Sequence, residues 1–219
     1  CSPGNPTGAI MSLHQLQDIV RLAREYNFVI ASDECYSEIY FDEESPPPGL
    51  LEACVAMGDS DFRNCVVFHS LSKRSNLPGL RSGFVAGDSQ ILRSFLQYRT
   101  YHGCAMPIHH QLGSIAAWND EAHVIANRQQ YRDKFAAVLA EFNGHLSVAA
   151  PDAGFYLWPQ TPVSDTEFAR QLQGQVATER VARHNDRGDC LRLDHVPQQE
   201  QRIVRQSRDV VHDAGAGVD

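Results

Sequence analysis

Three short apolar runs limit what this chain can fold into more than any other feature. Phe28-Val29-Ile30-Ala31, Cys65-Val66-Val67-Phe68 and Gly83-Phe84-Val85-Ala86 show no alternation of apolar and polar residues. A strand of that kind is apolar on both faces and needs cover on both. The first run ends at Ser32-Asp33, and the second is followed by Ser70-Leu71-Ser72-Lys73. Residues 12–26 have helical periodicity, with Leu13, Leu16, Ile19, Val20 and Ala23 on one face and Ser12 and Gln15 placed for a capping box. Covered strands with helices between some of them predict an α/β fold on a largely parallel sheet.

Further along, the pattern changes. Residues 89–100 are expected to form a helix with Ile91, Leu92, Phe95 and Leu96 on one face, and residues 120–142 a longer one. Leu146–Ala149 and Gly154–Trp158 read as strands of a smaller α+β unit, with a hinge near 118–120. After Phe168 there is no Phe, Tyr or Trp, so that stretch has little to bury and is expected to be poorly ordered.

Composition narrows the functional classes. Apolar residues make up 42% and charged residues 21%, ordinary for a soluble globular domain. No apolar run is long enough to span a membrane. A net charge of -8 argues against a nucleic-acid surface, which needs clustered Lys and Arg. The six cysteines, at 1, 35, 54, 65, 104 and 190, form no CxxC pair and offer no metal-ligand spacing. Cys65 lies in an apolar run, where a buried reduced thiol is expected, and this favours a cytoplasmic location. His109-His110 is not read as a metal site, because adjacent helical residues point in different directions. Met106-Pro107 reads as a helix start, and Pro46-Pro47-Pro48 as a stiff surface loop.

Four local motifs carry the chemistry. Asn5-Pro6-Thr7-Gly8 is a turn-type sequence after an apparent strand end. Asp33-Glu34-Cys35-Tyr36 lies at the carboxyl end of a covered strand, the edge where open α/β sheets gather ligands. Ser70-Leu71-Ser72-Lys73 lies at another such end, and Gly79-Leu80-Arg81-Ser82-Gly83 follows it. Each has a bland reading on its own: a plain turn, a helix-capping acid, a solvated surface lysine. Their joint order and spacing do not.

Asn5-Pro6-Thr7-Gly8, Asp33-x-x-Tyr36, Ser70-x-Ser72-Lys73 and Gly79-Leu80-Arg81-x-Gly83 together resemble the class I/II aminotransferases of pyridoxal-phosphate (PLP) fold type I. The resemblance covers about residues 1–170. Within that family, the wording of Ser32–Tyr40, Tyr98–Trp118 and Gly154–Trp158 is most similar to bacterial N-succinyldiaminopimelate aminotransferases.

The resemblance implies a role for each residue. Lys73 would take the cofactor aldehyde in Schiff-base linkage and, once displaced by substrate, shuttle a proton. Asp33 would pair with the pyridine nitrogen and keep it protonated. Tyr36 and Asn5 would hydrogen-bond the ring oxygen, and Asn5 also lies on the substrate side. Ser70 and Arg81 would hold the phosphate. Arg192, in Leu191-Arg192-Leu193-Asp194, is the candidate for the substrate carboxylate, although Asp194 interrupts the expected apolar pattern.

The implied reaction is transamination between an amino acid and a 2-oxo acid: N-succinyl-LL-2,6-diaminopimelate with 2-oxoglutarate, in lysine biosynthesis. The alternatives are a C–S lyase on the same fold, an inactive remnant and a cofactor-binding regulator. A regulator would need a DNA-binding module, and no basic helix-turn-helix is visible.

Residues 1–118 would then be the C-terminal part of the cofactor-binding large domain, and 119–219 a small C-terminal domain. Position 1 is Cys, and family members are longer at the N-terminus, so the chain is expected to be a fragment of a homodimeric enzyme. Residues after about 172 depart from the family, as a shifted reading frame or a decayed terminus would make them.

Overall fold

In the computed structural model, residues 1–142 and 146–173 are described. Helix α1 (Leu13–Glu25) starts as expected. Ser12 accepts from the Gln15 amide, and the Gln15 side chain accepts from the Ser12 amide at 2.8 Å. Such a cap contributes about 1 kcal/mol to a helix start. Leu16, Val20 and Ala23 are buried on the inner face.

Three strands follow: β1 (Ile30–Asp33), β2 (Cys65–Ser70) and β3 (Gly83–Gly87). They form one sheet in the order β1-β2-β3. β1 and β2 are parallel, with Asp33 beside Phe68, whereas β3 runs antiparallel to β2, with Gly83 opposite Ser70. The sheet is therefore mixed within an α/β fold. An apolar run gives cover but not direction, so the antiparallel course of β3 was not readable from it. The expected first strand also sits two residues early. The Phe28 amide still bonds back to the Ala23 carbonyl of α1, and the ladder opens only where the Ile30 amide reaches the Asn64 carbonyl.

The core lies between that sheet and two helices. Leu16 and Val20 of α1 meet Leu50, Ala53 and Cys54 of α2 (Leu50–Ala56), and both helices close over Cys65 and Val67 of β2. On the opposite face, Phe68 meets edge-on Phe95 of α4 (Ser89–His102), with ring centres 6.4 Å apart. After a one-turn helix α3 (Leu71–Arg74), two further helices matter for the site: α5 (Ile108–Trp118) and α6 (Ala122–Phe142). Pro107 is the residue that caps α5, one place before the first helical turn where the sequence put it.

The predicted strands at 146–149 and 154–158 do not form ladders. The first makes a single bridge, Ser147 to Gln160, and the second makes none; the bridge of Ala153 to Tyr40 lies just before it. Gly154 at φ +83° turns the chain out of the extended region, and Pro151 and Pro159 lack the amide a ladder needs. The chain divides into two compact units, Cys1–Thr161 and Pro162–Asp219. The described part of the second is helical over residues 165–173.

Two devices fix the loops beside the sheet edge. The 151–154 segment lies against the Asn5-Gly8 turn, with the Ala153 amide donating to the Gly8 carbonyl at 3.1 Å and the Gly154 amide to the Ile39 carbonyl at 2.7 Å. Gly8 has φ +71°, and a Cβ there would stand 2.2 Å from the Ala153 oxygen. The second device is ionic. Arg128 of α6 is buried and donates to both carboxylate oxygens of Glu43 at 3.0 Å and to Glu38 at 3.1 Å, with its guanidinium 4.4 Å from the Tyr40 ring centre. Arg132 adds a second contact to Glu43 at 2.7 Å.

Two outcomes are expected. Gly8→Ala combines a forbidden contact with strained backbone and should lower the unfolding free energy by roughly 2 kcal/mol in urea melts. The Arg128 and Arg132 side chains pull the Glu43 carboxyl down to about 2 from an ordinary 4.5. Its stabilising effect is therefore fully present above pH 4.5 and is lost as the pH falls toward 2. Glu43 is partly exposed, so solvent screening limits the effect, and Glu43→Gln should cost about 1 kcal/mol at neutral pH. The gap between wild type and variant in denaturant melts should close between pH 4.5 and 2; a gap that persists would remove the ion pair from the account.

Candidate active site

Strand direction gathers the four motifs at one edge. Because β1 and β2 are parallel, Asp33 and Ser70 both stand at carboxyl ends. Because β3 is antiparallel, its start lies at that same edge, and the turn before it brings Arg81 there. The Ser2 amide donates to the Asp33 carbonyl at 3.2 Å, which carries the Asn5 turn to the same place. Asn5, Asp33, Tyr36, Ser70, Lys73 and Arg81 thus share one rim. Arg192 lies outside the described residues.

The local geometry is specific at each position. Asn5 Nδ2 donates to the Tyr36 phenol oxygen at 2.9 Å, a bond between residues far apart in the chain. Asp33 is exposed, and its Oδ1 accepts from the Cys35 amide at 3.1 Å, a local turn bond that holds the carboxylate at the strand end. Ser70 Oγ caps α3 by accepting from the Ser72 amide at 3.1 Å, and it donates to the Ser82 carbonyl at 3.2 Å. Arg81 adopts the left-handed region (φ 51°, ψ 39°), is exposed, and donates to the Pro78 carbonyl at 2.8 Å.

Lys73 is held by its neighbours on a single helical turn. Leu71 is fully buried, and buried Arg74 donates to the Ala117 carbonyl at 2.8 Å and pairs with Glu121. Its guanidinium also lies 5.0 Å from the Trp118 ring centre at the end of α5. These anchors leave Lys73 between them, half-buried, with Nζ 4.6 Å from the centre of the Phe155 ring. The chain has only two lysines, Lys73 and Lys134.

Burial keeps two residues on this rim, Cys35 and Tyr36, neutral. Burial, reinforced by Asp33, pushes the Cys35 thiol up to about 12, so it remains protonated and is no competing nucleophile. Burial and then the adjacent Tyr156 hold the Tyr36 phenol above its ordinary value, outweighing the opposite pull of the Asn5 bond. Tyr36 therefore keeps its proton and can donate a hydrogen bond. Behind the edge, buried Glu34 accepts from the Leu50 amide at 2.8 Å and from Ser32 at 3.0 Å, and it lies 3.2 Å from His69 Nε2.

Several residues here gave no signal in the sequence. Arg74 reads as a second charge beside Lys73, and nothing local marks it as buried. Phe155 lay in an expected strand, and its contact with Lys73 spans much of the chain. Arg128 sits on a helix whose charged residues would ordinarily face solvent. Only the tertiary partners reveal all three.

The chain is similar to proteins of one known family. Residues 1–197 match the family described as aminotransferase class I and II. A probable aminotransferase of Mycobacterium tuberculosis is 37% identical over 158 residues, 72% of this chain and 37% of the relative. A crystal structure of an aminotransferase from Neisseria meningitidis is 52% identical, with a TM-score of 0.73 over 78% of this chain and 44% of that one. A probable N-succinyldiaminopimelate aminotransferase from Thermus thermophilus is 27% identical, with a TM-score of 0.67 over 76% of this chain and 44% of its own. The chain thus spans less than half the length of these proteins. With the fold type I architecture, the ordered motifs and a family match over most of its length, the chain belongs to the class I and II aminotransferases, a pyridoxal-phosphate-dependent family.

Proposed function

We propose that this chain carries the lysine-bearing part of a pyridoxal-phosphate-dependent aminotransferase that moves an amino group from an amino acid to a 2-oxo acid. One observation carries the reading: a primary amine, a carboxylate, a hydrogen-bonded phenol and amide, a hydroxyl and a guanidinium stand along a single sheet edge. That donor set suits the cofactor group by group. An amine suits its aldehyde, a carboxylate its ring nitrogen, phenol and amide its ring oxygen, and hydroxyl and guanidinium its phosphate. When bound, the cofactor supplies an electrophilic carbon and a ring that takes up electron density.

The chain's own residues then divide the work. Lys73 holds the cofactor and afterwards moves a proton at its Nζ. Asp33, kept at the strand end by its turn bond to Cys35, holds a proton on the ring nitrogen. Tyr36 keeps its proton and is aimed by Asn5, so the pair can donate to a ring oxygen. Ser70 and Arg81 bind the phosphate, the guanidinium through charge-assisted contacts. Arg192 remains the proposed partner of the substrate carboxylate.

The proposed substrate is N-succinyl-LL-2,6-diaminopimelate with 2-oxoglutarate, supported by the motif wording and the Thermus thermophilus structure. A homodimeric, cytoplasmic enzyme with a small domain from residue 119 belongs to the same reading. Among the described residues, no helix is long and apolar enough to cross a membrane.

The test is to reduce a mixture of the protein and pyridoxal phosphate with borohydride and to map the pyridoxyl group. It should fall on Lys73. Labelling confined to Lys134 would refute the assignment. Asp33→Ala, placed in an active full-length enzyme, should cut turnover by about 10²-fold, because the contact acts where charge develops. Steady-state rates of glutamate formation would show it, and near-normal turnover would make Asp33 only a turn residue. Release of pyruvate and ammonia in place of glutamate would indicate the C–S lyase.

A further inference from the structure

We infer that Phe155 is a positioning residue for Lys73: the face of its ring is a seat that holds the lysine amine at the sheet edge. The inference deepens the reading of Lys73 as the cofactor's lysine and rests on it. The Lys73 ammonium lies 4.6 Å from the ring centre, within the range where an aromatic face attracts a cation. Among the described residues, the structure pairs no carboxylate with this ammonium; the partner it shows is the ring.

The ring itself is held on several sides. Tyr36 lies 5.3 Å away, Tyr156 4.4 Å away, and Tyr131 of α6 stacks at 6.0 Å. Phe155 therefore stands between the amine and the phenol that the site reading assigns to one cofactor. Its backbone is fixed immediately upstream. The Gly154 amide bonds the Ile39 carbonyl at 2.7 Å, and the Ala153 amide bonds the Gly8 carbonyl at 3.1 Å. Gly154 occupies φ +83°, which glycine adopts without strain. The turn that carries Asn5 thus also sets where Phe155 lies.

A flexible lysine stem has several rotamers, and a reaction at Nζ needs one of them. A carboxylate partner would hold the amine by a strong ion pair that it must break in order to react. An aromatic face holds it by a weaker, less directional contact, and the amine can leave without stranding a buried charge. Phe155 thereby restricts Lys73 without locking it.

Lys134, the other lysine of the chain, lies over Tyr131 at 5.4 Å, and Tyr131 stacks on Phe155, so the reference amine is that of an added lysine-containing peptide. Competitive reductive methylation with formaldehyde and cyanoborohydride, without cofactor, reads the freedom of each amine by peptide mapping. Phe155→Met fills similar volume but removes the aromatic face, and it should raise the ratio of Lys73 to reference-peptide modification about threefold, as expected for loss of one cation–π contact. Phe155→Tyr keeps the face and should leave the ratio at the wild-type value. A role in packing alone predicts the opposite pattern, with Met neutral. If Phe155→Met unfolds in circular dichroism melts, Phe155→Leu takes its place with the same expectation.

A ratio unchanged in a folded Met or Leu variant overturns the inference, as does a ratio that rises equally in Phe155→Tyr. Because this measurement uses no pyridoxal phosphate, its failure is distinct from failure of the borohydride mapping that tests Lys73 itself.

Discussion

The register between β1 and β2 is the constraint on which the rest depends. With Asp33 beside Phe68, the strand that ends in a carboxylate stops two residues short of Ser70, where the strand that leads to Lys73 ends. A slip of one residue would turn every side chain of β1 to the other face, exchanging buried Ser32 with exposed Asp33. The register is held by the fully buried Cys65 and by Val67 under α1 and α2, and at the edge by the Glu34 amide on the Phe68 carbonyl at 3.0 Å. The antiparallel β3 then returns the chain so that Arg81 arrives beside Ser70 and does not end at the far side of the sheet. Two parallel strand ends and one antiparallel start put the reactive groups along one line.

Holding those groups still falls to two buried guanidiniums, those of Arg74 and Arg128. Arg74 ties the Lys73 turn to the end of α5, and Arg128 ties α6 to the loop that follows Tyr36. Burying a guanidinium is costly unless its donors are satisfied, and both of these are met by carboxylates or carbonyls and by an aromatic face. Such pairs add little net stability compared with apolar packing. They do penalise any arrangement that separates the partners, which makes them suited to fixing positions.

The sequence disclosed the parts of this design that are local. The capping box of α1 was readable because Ser12 and Gln15 are three residues apart. Asp33 and Ser70 were readable because each sits at the end of an apolar run, where a change of chemistry is visible in a few letters. What was not readable is nonlocal or directional. Nothing in Gly83–Ala86 says which way the strand runs; the close approach at Gly83, where a Cβ would meet the His69 carbonyl oxygen at 2.3 Å, appears only once the pairing exists. The Gly154–Trp158 stretch has strand composition, but Gly154 takes a positive φ to meet the Ile39 carbonyl, and the tertiary contact overrides the local preference.

That override also explains why the segment matters. Had residues 154–158 formed a regular ladder, side chains would alternate between faces and Phe155 and Tyr156 would point apart. The positive φ at Gly154 and the single bridge at Ala153 release the segment from that alternation, and the two rings lie 4.4 Å apart, with Phe155 also in contact with both Tyr36 and Lys73. Near the sheet edge, loss of regular structure is what lets one aromatic side chain meet residues from two strand ends. The hydrogen bonds to Gly8 and Ile39 replace part of the backbone pairing that a ladder would have supplied. A irregular segment anchored in this way can be as well defined as a strand while placing its side chains where no strand could.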